Sequence, residues 1–413
     1  MLTLFFDSCR RYAALIIRSL LPLGAPDAAP YSLKRLAIML VFLPLLGLLQ
    51  AAHWLGFLVD EILFRRYRTV TVRQPVFIVG VPRSGTTFFH RVLAEDDQYT
   101  TFSTWECLFA PSITERKIWL ALARLDTRLG RPAARLVTWV QNRLMGNLDG
   151  IHKVTLQAPE EDYLTLLPLL RSFVLILPFP FARGVWEMGF FDRDIQGETR
   201  GRILNFYKKC LQKHLYVHGA DKCLLSKNAS FSPLVAGLNE IFPDCRIICC
   251  MRDPMETTPS QLSSIRPGMT LFGLNEDDPA FRNRMLDVLE FYHDNLLSTL
   301  PTLPPDRHAF VDMATFKTDL TGTVVATYQR LGLTLNNAFV DHLAIEDQNA
   351  KQFKAAHRYS LDAFNLTPQA IRHRFQRAYA QYPYTPAQRP GDASTNQDCS
   401  ERLVPAAHSN RVQ

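Results

Sequence analysis

The stretch PVFIVGVPRSGTTFFHRVL, Pro75 to Leu93, decides how this chain folds. Pro75 to Gly80 is a short apolar run rich in β-branched and aromatic residues and closed by glycine, which reads as a buried strand. From Thr86 onward the apolar residues recur at helical spacing. The turn between them lies where backbone NH groups converge at a helix N-terminus, and those unpaired donors with the partial positive charge of the helix end bind phosphate. Gly85 lets the backbone approach an anion closely, and Ser84, Thr86 and Thr87 add hydroxyl donors. A phosphate-bearing ligand is the first expectation.

Gly80 and Gly85 match the spacing of the nucleotide-triphosphate loop GxxxxGK[ST], but Thr86 stands where that pattern requires lysine. The lysine reaches the β and γ phosphates, so a loop without it is poorly suited to γ-phosphoryl chemistry. The basic group has moved into the loop at Arg83. This arrangement fits a single 5′-phosphate carrying a compact anionic group.

A second constellation lies between Leu224 and Leu262, LLSKNASFSPLVAGLNEIFPDCRIICCMRDPMETTPSQL. It reads as a strand ending at Lys227, a helix, a Pro-Asp turn, a buried strand from Arg246 to Met251, and then Arg252. Ser260 follows Arg252 by eight residues, two turns along the next helix. An arginine and a hydroxyl so placed can converge on one anion. The plainer alternatives are that Arg252 pairs with Asp253 and that Ser260 is an ordinary helix-face serine. Asp253 also invites a metal-holding reading, but Arg252 beside it and the missing loop lysine weigh against magnesium.

GVPRSGTT resembles the 5′-phosphosulfate loop of sulfotransferases that use 3′-phosphoadenosine 5′-phosphosulfate (PAPS). It is most similar to the tyrosylprotein and bacterial carbohydrate-type branches, which carry arginine at this position. The downstream order of FP, apolar strand, Arg-Asp and serine is similar to their 3′-phosphate segment, and the resemblance covers residues 75 to 385. It implies that Arg83, Ser84, Gly85, Thr86 and Thr87 hold the 5′-phosphosulfate, that Arg252 and Ser260 hold the 3′-phosphate, and that no metal is required. Lys227 matches a catalytic lysine of the tyrosylprotein branch; a solvated strand-end lysine is the alternative.

The chemistry needs a base for the acceptor hydroxyl. Glu106, in FSTWECLF, follows Arg83 by about the interval seen in the tyrosylprotein and heparan-type enzymes, and Trp105 and Phe109 beside it would raise its pKa in a dry pocket. The alternative is a surface glutamate near a helix start. His152 is the rival base, because cytosolic sulfotransferases use histidine and because it precedes the acidic cluster PEEDY. Glu160, Glu161 and Asp162 in that cluster are expected to begin a helix or to touch substrate. Late in the chain Lys351, Lys354, His357 and Arg358 form a basic cluster; the resemblance makes Arg358 a candidate cover for the 3′-phosphate, and a solvated helix face fits equally.

The 413 residues are 47% hydrophobic and 21% charged, enough for a large core. A net charge of +7 suits an anionic co-substrate and an anionic membrane surface; no interleaved basic and aromatic run points to nucleic acid. Leu36 to Val59 lacks Asp, Glu, Lys and Arg and as a helix would be about 36 Å long, so residues 1–70 form an apolar, membrane-associated region. A single spanning helix fits, with an interfacial helix or re-entrant hairpin as the main alternative and a buried core helix as the plainer one, since Pro44, Gln50 and His53 interrupt the run; basic residues on both sides leave the orientation open. No cleaved signal peptide is expected. The eight cysteines show neither CxxC nor metal-ligand spacing, which fits a reducing compartment and a cytoplasmic catalytic domain, with a Golgi enzyme as the alternative.

The expected fold is α/β, a P-loop NTPase-like parallel sheet flanked by helices. Its strands are Pro75 to Gly80, Cys223 to Lys227, Arg246 to Met251 and His308 to Met313, within a catalytic domain of residues 71–385. A helical insertion, residues 113–216, is expected on the acceptor side, and residues 386–413 read as a disordered tail. The expected activity is sulfuryl transfer from PAPS to a hydroxyl of a carbohydrate, lipid or other small acceptor. The alternatives are a kinase or NTPase of the same fold and a membrane-anchored, non-catalytic nucleotide-binding protein. The sequence does not specify the oligomeric state.

Overall fold

Five parallel strands form one sheet: β1 (Val76–Gly80), β2 (Tyr99–Thr100), β3 (Cys223–Lys227), β4 (Arg246–Met251) and β5 (His308–Asp312), in the order β2-β3-β1-β4-β5. The structure is a computed structural model and describes residues 1–21, 32–145, 158–352 and 360–384; the expected 386–413 tail lies outside them. In register, Val76 faces Leu225 on one side and Arg246 on the other, and Cys250 faces Gly80 and Val311. The four strands expected from sequence are present. β2 is an added edge, and its two residues are too short to carry a periodic signal.

β1 is buried on both faces. Phe77 and Val79 enter a core shared with Tyr207, Phe231 and Phe242, while Val76 and Ile78 enter a second core with Phe89, Phe316 and Tyr328. Burial on both sides is why this strand reads as an unbroken apolar run rather than an alternating one. After β1 the chain turns into α3 (Thr86–Leu93) and moves to the β2 edge, whereas after β4 it moves to the β5 edge. Neighbouring strands whose connections leave in opposite directions open a crevice at their carboxyl ends. The Arg83 loop and Arg252 both stand at that crevice.

Two N-terminal helices, α1 (Leu2–Leu20) and α2 (Leu33–Leu63), pack into the larger core through Leu15, Met39, Leu43, Trp54 and Phe57. Residues between β2 and β3 build α4 (Thr104–Phe109), α5 (Ile113–Arg128), α6 (Pro132–Met145), short 3-10 turns and the long helix Gly197–His218. Pro168, Pro178 and Pro180 keep the middle of this insertion in short turns, because proline donates no backbone NH. The result is a string of apolar corners rather than one continuous helix.

Candidate active site

The loop after β1 is a left-handed fold of the backbone: Arg83 has φ +72° and Gly85 has φ +87°. Arg252 supports it, donating from Nη1 to the Arg83 carbonyl at 3.1 Å. The Arg83 Nε donates to the Ser260 hydroxyl at 3.0 Å, so the two phosphate motifs meet. Arg252 also pairs with Glu256, one turn along its helix, at 2.7 Å from Nε. Asp253 caps that helix, its Oδ1 accepting from the Met255 NH at 2.8 Å and from the Tyr379 hydroxyl at 2.5 Å.

Arg83, Gly85, Thr86, Thr87 and Arg252 line a single cleft of about 540 Å³. Ser84 and Ser260 lie behind its wall, at 0% and 3% exposure. The Ser84 hydroxyl is buried with no hydrogen-bond partner among the described residues. At Gly85 a Cβ would meet the flexible Met313 side chain, and the φ of +87° is a backbone conformation that favours glycine. These residues fit an anionic phosphosulfate.

Lys227, at the carboxyl end of β3, is buried and donates to Glu161 at 2.8 Å; Glu161 itself lines the cleft. The segment carrying Glu161 is fastened to the strand end because Asn228 accepts from the Tyr163 NH at 3.3 Å. Beside it, Asp162 is fully buried and accepts from Tyr207 at 2.6 Å, Ser226 at 2.9 Å and the Asn228 amide. Burial pushes the Asp162 carboxyl up to about 7. The cleft is also lined by apolar side chains, Phe173, Val174, Ile176 and Leu177, all from the insertion.

Glu106 is placed differently. It is N3 of α4 in a capping box with Ser103, its Oε2 accepting from the Ser103 NH at 2.9 Å and hydroxyl at 2.7 Å. Its Oε1 lies 2.6 Å from His218 Nε2 and 3.6 Å from Arg116 Nε. Burial opposes ionisation, but the His218 bond and the Arg116 charge outweigh it and hold the carboxyl well below its usual range. Glu106 is not among the described residues that line the cleft. With the His214 ring it makes a trio, Glu106, His214 and His218, whose ligand atoms lie within 4.8 Å of one another, a spacing that could hold a metal ion. Arg116 already supplies positive charge at that point. His152 and Arg358 lie outside the described residues.

A profile of the sulfotransferase family matches residues 75–337, which contain every element just described apart from α1 and α2. The chain belongs to the sulfotransferase family. It is 26% identical over 306 residues to the omega-hydroxy-beta-dihydromenaquinone-9 sulfotransferase Stf3 of Mycobacterium tuberculosis and of Mycobacterium bovis, covering 72% of this chain and 71% of the relative. In fold it is similar to the crystal structure of sulfotransferase STF9 from Mycobacterium avium, with a TM-score of 0.70, 17% identity, and coverage of 93% of this chain and 96% of that one. The sulfotransferase STF1 of Mycobacterium tuberculosis superposes with a TM-score of 0.67 at 18% identity, covering 89% and 92%. Sulfotransferase membership implies a sulfonate donor and a hydroxyl-bearing acceptor.

In this sulfotransferase the cleft residues that the sequence did not single out include Tyr163, Gln261 and Ser264 and the apolar Phe173, Val174, Ile176 and Leu177. Glu161 was visible only as one of three acids in PEEDY. Its separation from Lys227 by 66 positions hides their pairing from any local pattern.

Proposed function

We propose that this sulfotransferase moves the sulfuryl group of PAPS onto the hydroxyl of an apolar, lipid-type acceptor. One observation carries the reading: a single cleft is lined both by Arg83, Gly85, Thr86, Thr87, Arg252 and Glu161, the carboxylate paired with the buried Lys227, and by the apolar side chains of Phe173, Val174, Ile176 and Leu177. The lipid named in the mycobacterial relative, a hydroxylated menaquinone, supports the acceptor class.

In this reading Ser84, Gly85, Thr86 and Thr87 seat the 5′-phosphosulfate, and Arg83, Arg252 and Ser260 carry the charge of the nucleotide phosphates. PAPS supplies the sulfuryl group and departs as adenosine 3′,5′-bisphosphate. Glu161 takes the acceptor proton, because it is the carboxylate that both lines the cleft and touches Lys227. Lys227 neutralises charge gathering on the leaving phosphate, exchanging Glu161 for that phosphate as its partner. Glu106, with both oxygens engaged and its carboxyl held ionised, is a weak proton acceptor. His152 and Arg358 keep the roles expected from the resemblance, as alternative base and as 3′-phosphate cover.

Membrane association and a cytoplasmic catalytic domain belong to the same proposal. The seven cysteines among the described residues are all free, in keeping with a reducing compartment. Incubation of the full chain with sulfur-labelled PAPS and a bacterial lipid extract tests the acceptor: a labelled, organic-soluble product is expected, and label confined to protein tyrosine or to water-soluble carbohydrate overturns it.

A further inference from the structure

Of the large apolar side chains left exposed among the described residues, all but Leu271, Val340 and Ile345 lie between Leu2 and Trp139. On α2 they include Leu40, Leu45, Leu48, Leu55, Leu58 and Ile62, a stripe at helical spacing along one side. The opposite side of α2 is tied to the catalytic body from end to end. Arg35 donates to the carbonyls of Pro178 at 2.8 Å and Phe272 at 2.9 Å, Gln50 to Leu167 at 2.9 Å and Trp54 to Pro168 at 3.2 Å. His53 meets Glu115 at 2.7 Å, and Asp60 accepts from Lys213 at 2.6 Å with both side chains at 1% exposure or less. A helix crossing a bilayer would have to abandon these partners or carry them into hydrocarbon, and separating a buried Asp–Lys pair is strongly unfavourable.

A second apolar surface adjoins the first. α5 starts against the C-terminal half of α2, where Asp60 caps it by accepting from the NH groups of Ile113 at 2.9 Å and Thr114 at 2.8 Å. Beyond that point α5 exposes Ile118, Leu122, Leu125 and Leu129, again at helical spacing, together with Trp119, and α6 exposes Leu136 and Trp139. Interleaved with them are Lys117, Arg124, Arg128, Arg131, Arg135 and Arg143, all exposed. The one acid of this stretch, Asp126, is spent on α6, accepting from the NH groups of Ala133 at 2.7 Å and Ala134 at 3.1 Å.

We propose that the protein docks on an anionic lipid surface with α2 lying in the plane of the interface, its outer stripe and the α5–α6 hairpin entering the boundary between headgroups and acyl chains. Apolar stripe, flanking arginines and exposed tryptophans together match the chemistry of that boundary, and the excess of basic over acidic residues selects anionic lipid. This deepens the membrane association proposed above and rests on it; the donor chemistry is independent of it.

The test is sedimentation of the full chain with phosphatidylcholine vesicles with and without phosphatidylglycerol, followed by alkaline carbonate extraction. Binding is expected to strengthen at least about tenfold with phosphatidylglycerol. Leu48→Glu and Leu125→Glu should each weaken it about tenfold, with unchanged melting temperature and unchanged binding of adenosine 3′,5′-bisphosphate. Carbonate should release the protein. Failure to sediment overturns membrane association altogether. Retention after carbonate overturns the in-plane arrangement in favour of a span, and concentration-dependent dimers without vesicle binding would show that a second copy covers these faces instead.

Discussion

Arg83 reaches Ser260 across 3.0 Å, joining the loop after β1 to the helix after β4, 177 positions away, while Arg252 holds the Arg83 carbonyl. The second contact explains how a non-glycine residue persists at φ +72°, a conformation that costs about 1–3 kcal/mol unless its surroundings enforce it. Arg252 therefore shapes the loop as well as lining the cleft. Lysine at this position keeps the charge but loses the fork that serves the Arg83 carbonyl and Glu256 together. Arg252→Lys is expected to weaken binding of adenosine 3′,5′-bisphosphate by at least about tenfold in calorimetry. Wild-type affinity would remove the loop-shaping role.

The two candidate carboxylates separate by readout. Glu161→Gln should lower kcat of the folded enzyme by about 10² to 10⁴, with some loss of melting temperature because the buried Lys227 ammonium is left without its carboxylate. Glu106→Gln should instead destabilise the fold by about 3 to 5 kcal/mol, because it leaves the buried Arg116 charge without its partner. A stable Glu106→Gln protein with turnover reduced a thousandfold or so, beside an active Glu161→Gln protein, would transfer the base assignment back to Glu106.

Gly80 and Gly85 are unequal. An added Cβ at Gly80 meets the backbone carbonyl of Cys250 on the neighbouring strand, which cannot move without breaking the β1–β4 ladder. At Gly85 it meets the Met313 side chain, which can turn aside. Gly80→Ala is thus expected to lower the melting temperature more than Gly85→Ala, while Gly85→Ala mainly weakens nucleotide binding. Equal thermal stability of the two variants, measured by calorimetry, would contradict this.

Asp162 provides a pH signature. Burial raises its folded pKa to about 7, above the ordinary 3.8, so between those values the folded protein holds a proton that the unfolded chain has released. The stabilisation from that proton is complete below about pH 3.8 and is lost as pH rises through about 7. Asp162→Asn removes this dependence. From pH 5 to pH 8 the melting temperature of wild type should fall relative to that of the variant. Parallel curves would show that the three donors to Asp162 keep it ionised in the folded state throughout.

Read alone, the sequence determined the parts of this protein whose physics is local. The strand, turn and helix of Pro75 to Leu93 are legible because apolar runs, glycine and helix-start hydroxyls act on their immediate neighbours. The resemblance of GVPRSGTT and of the Arg252–Ser260 segment to the sulfotransferase family carried that reading from a phosphate to a sulfonate donor. Tertiary structure alone decided which carboxylate enters the cleft. Glu106 and Glu161 look alike as residues, and what separates them is that a capping serine and His218 close over one while Lys227, buried at the end of β3, meets the other. It also decided which side of α2 is bound to the body: composition left spanning, interfacial, re-entrant and buried readings open, and the partners of Arg35, Gln50, His53 and Asp60 come from distant positions.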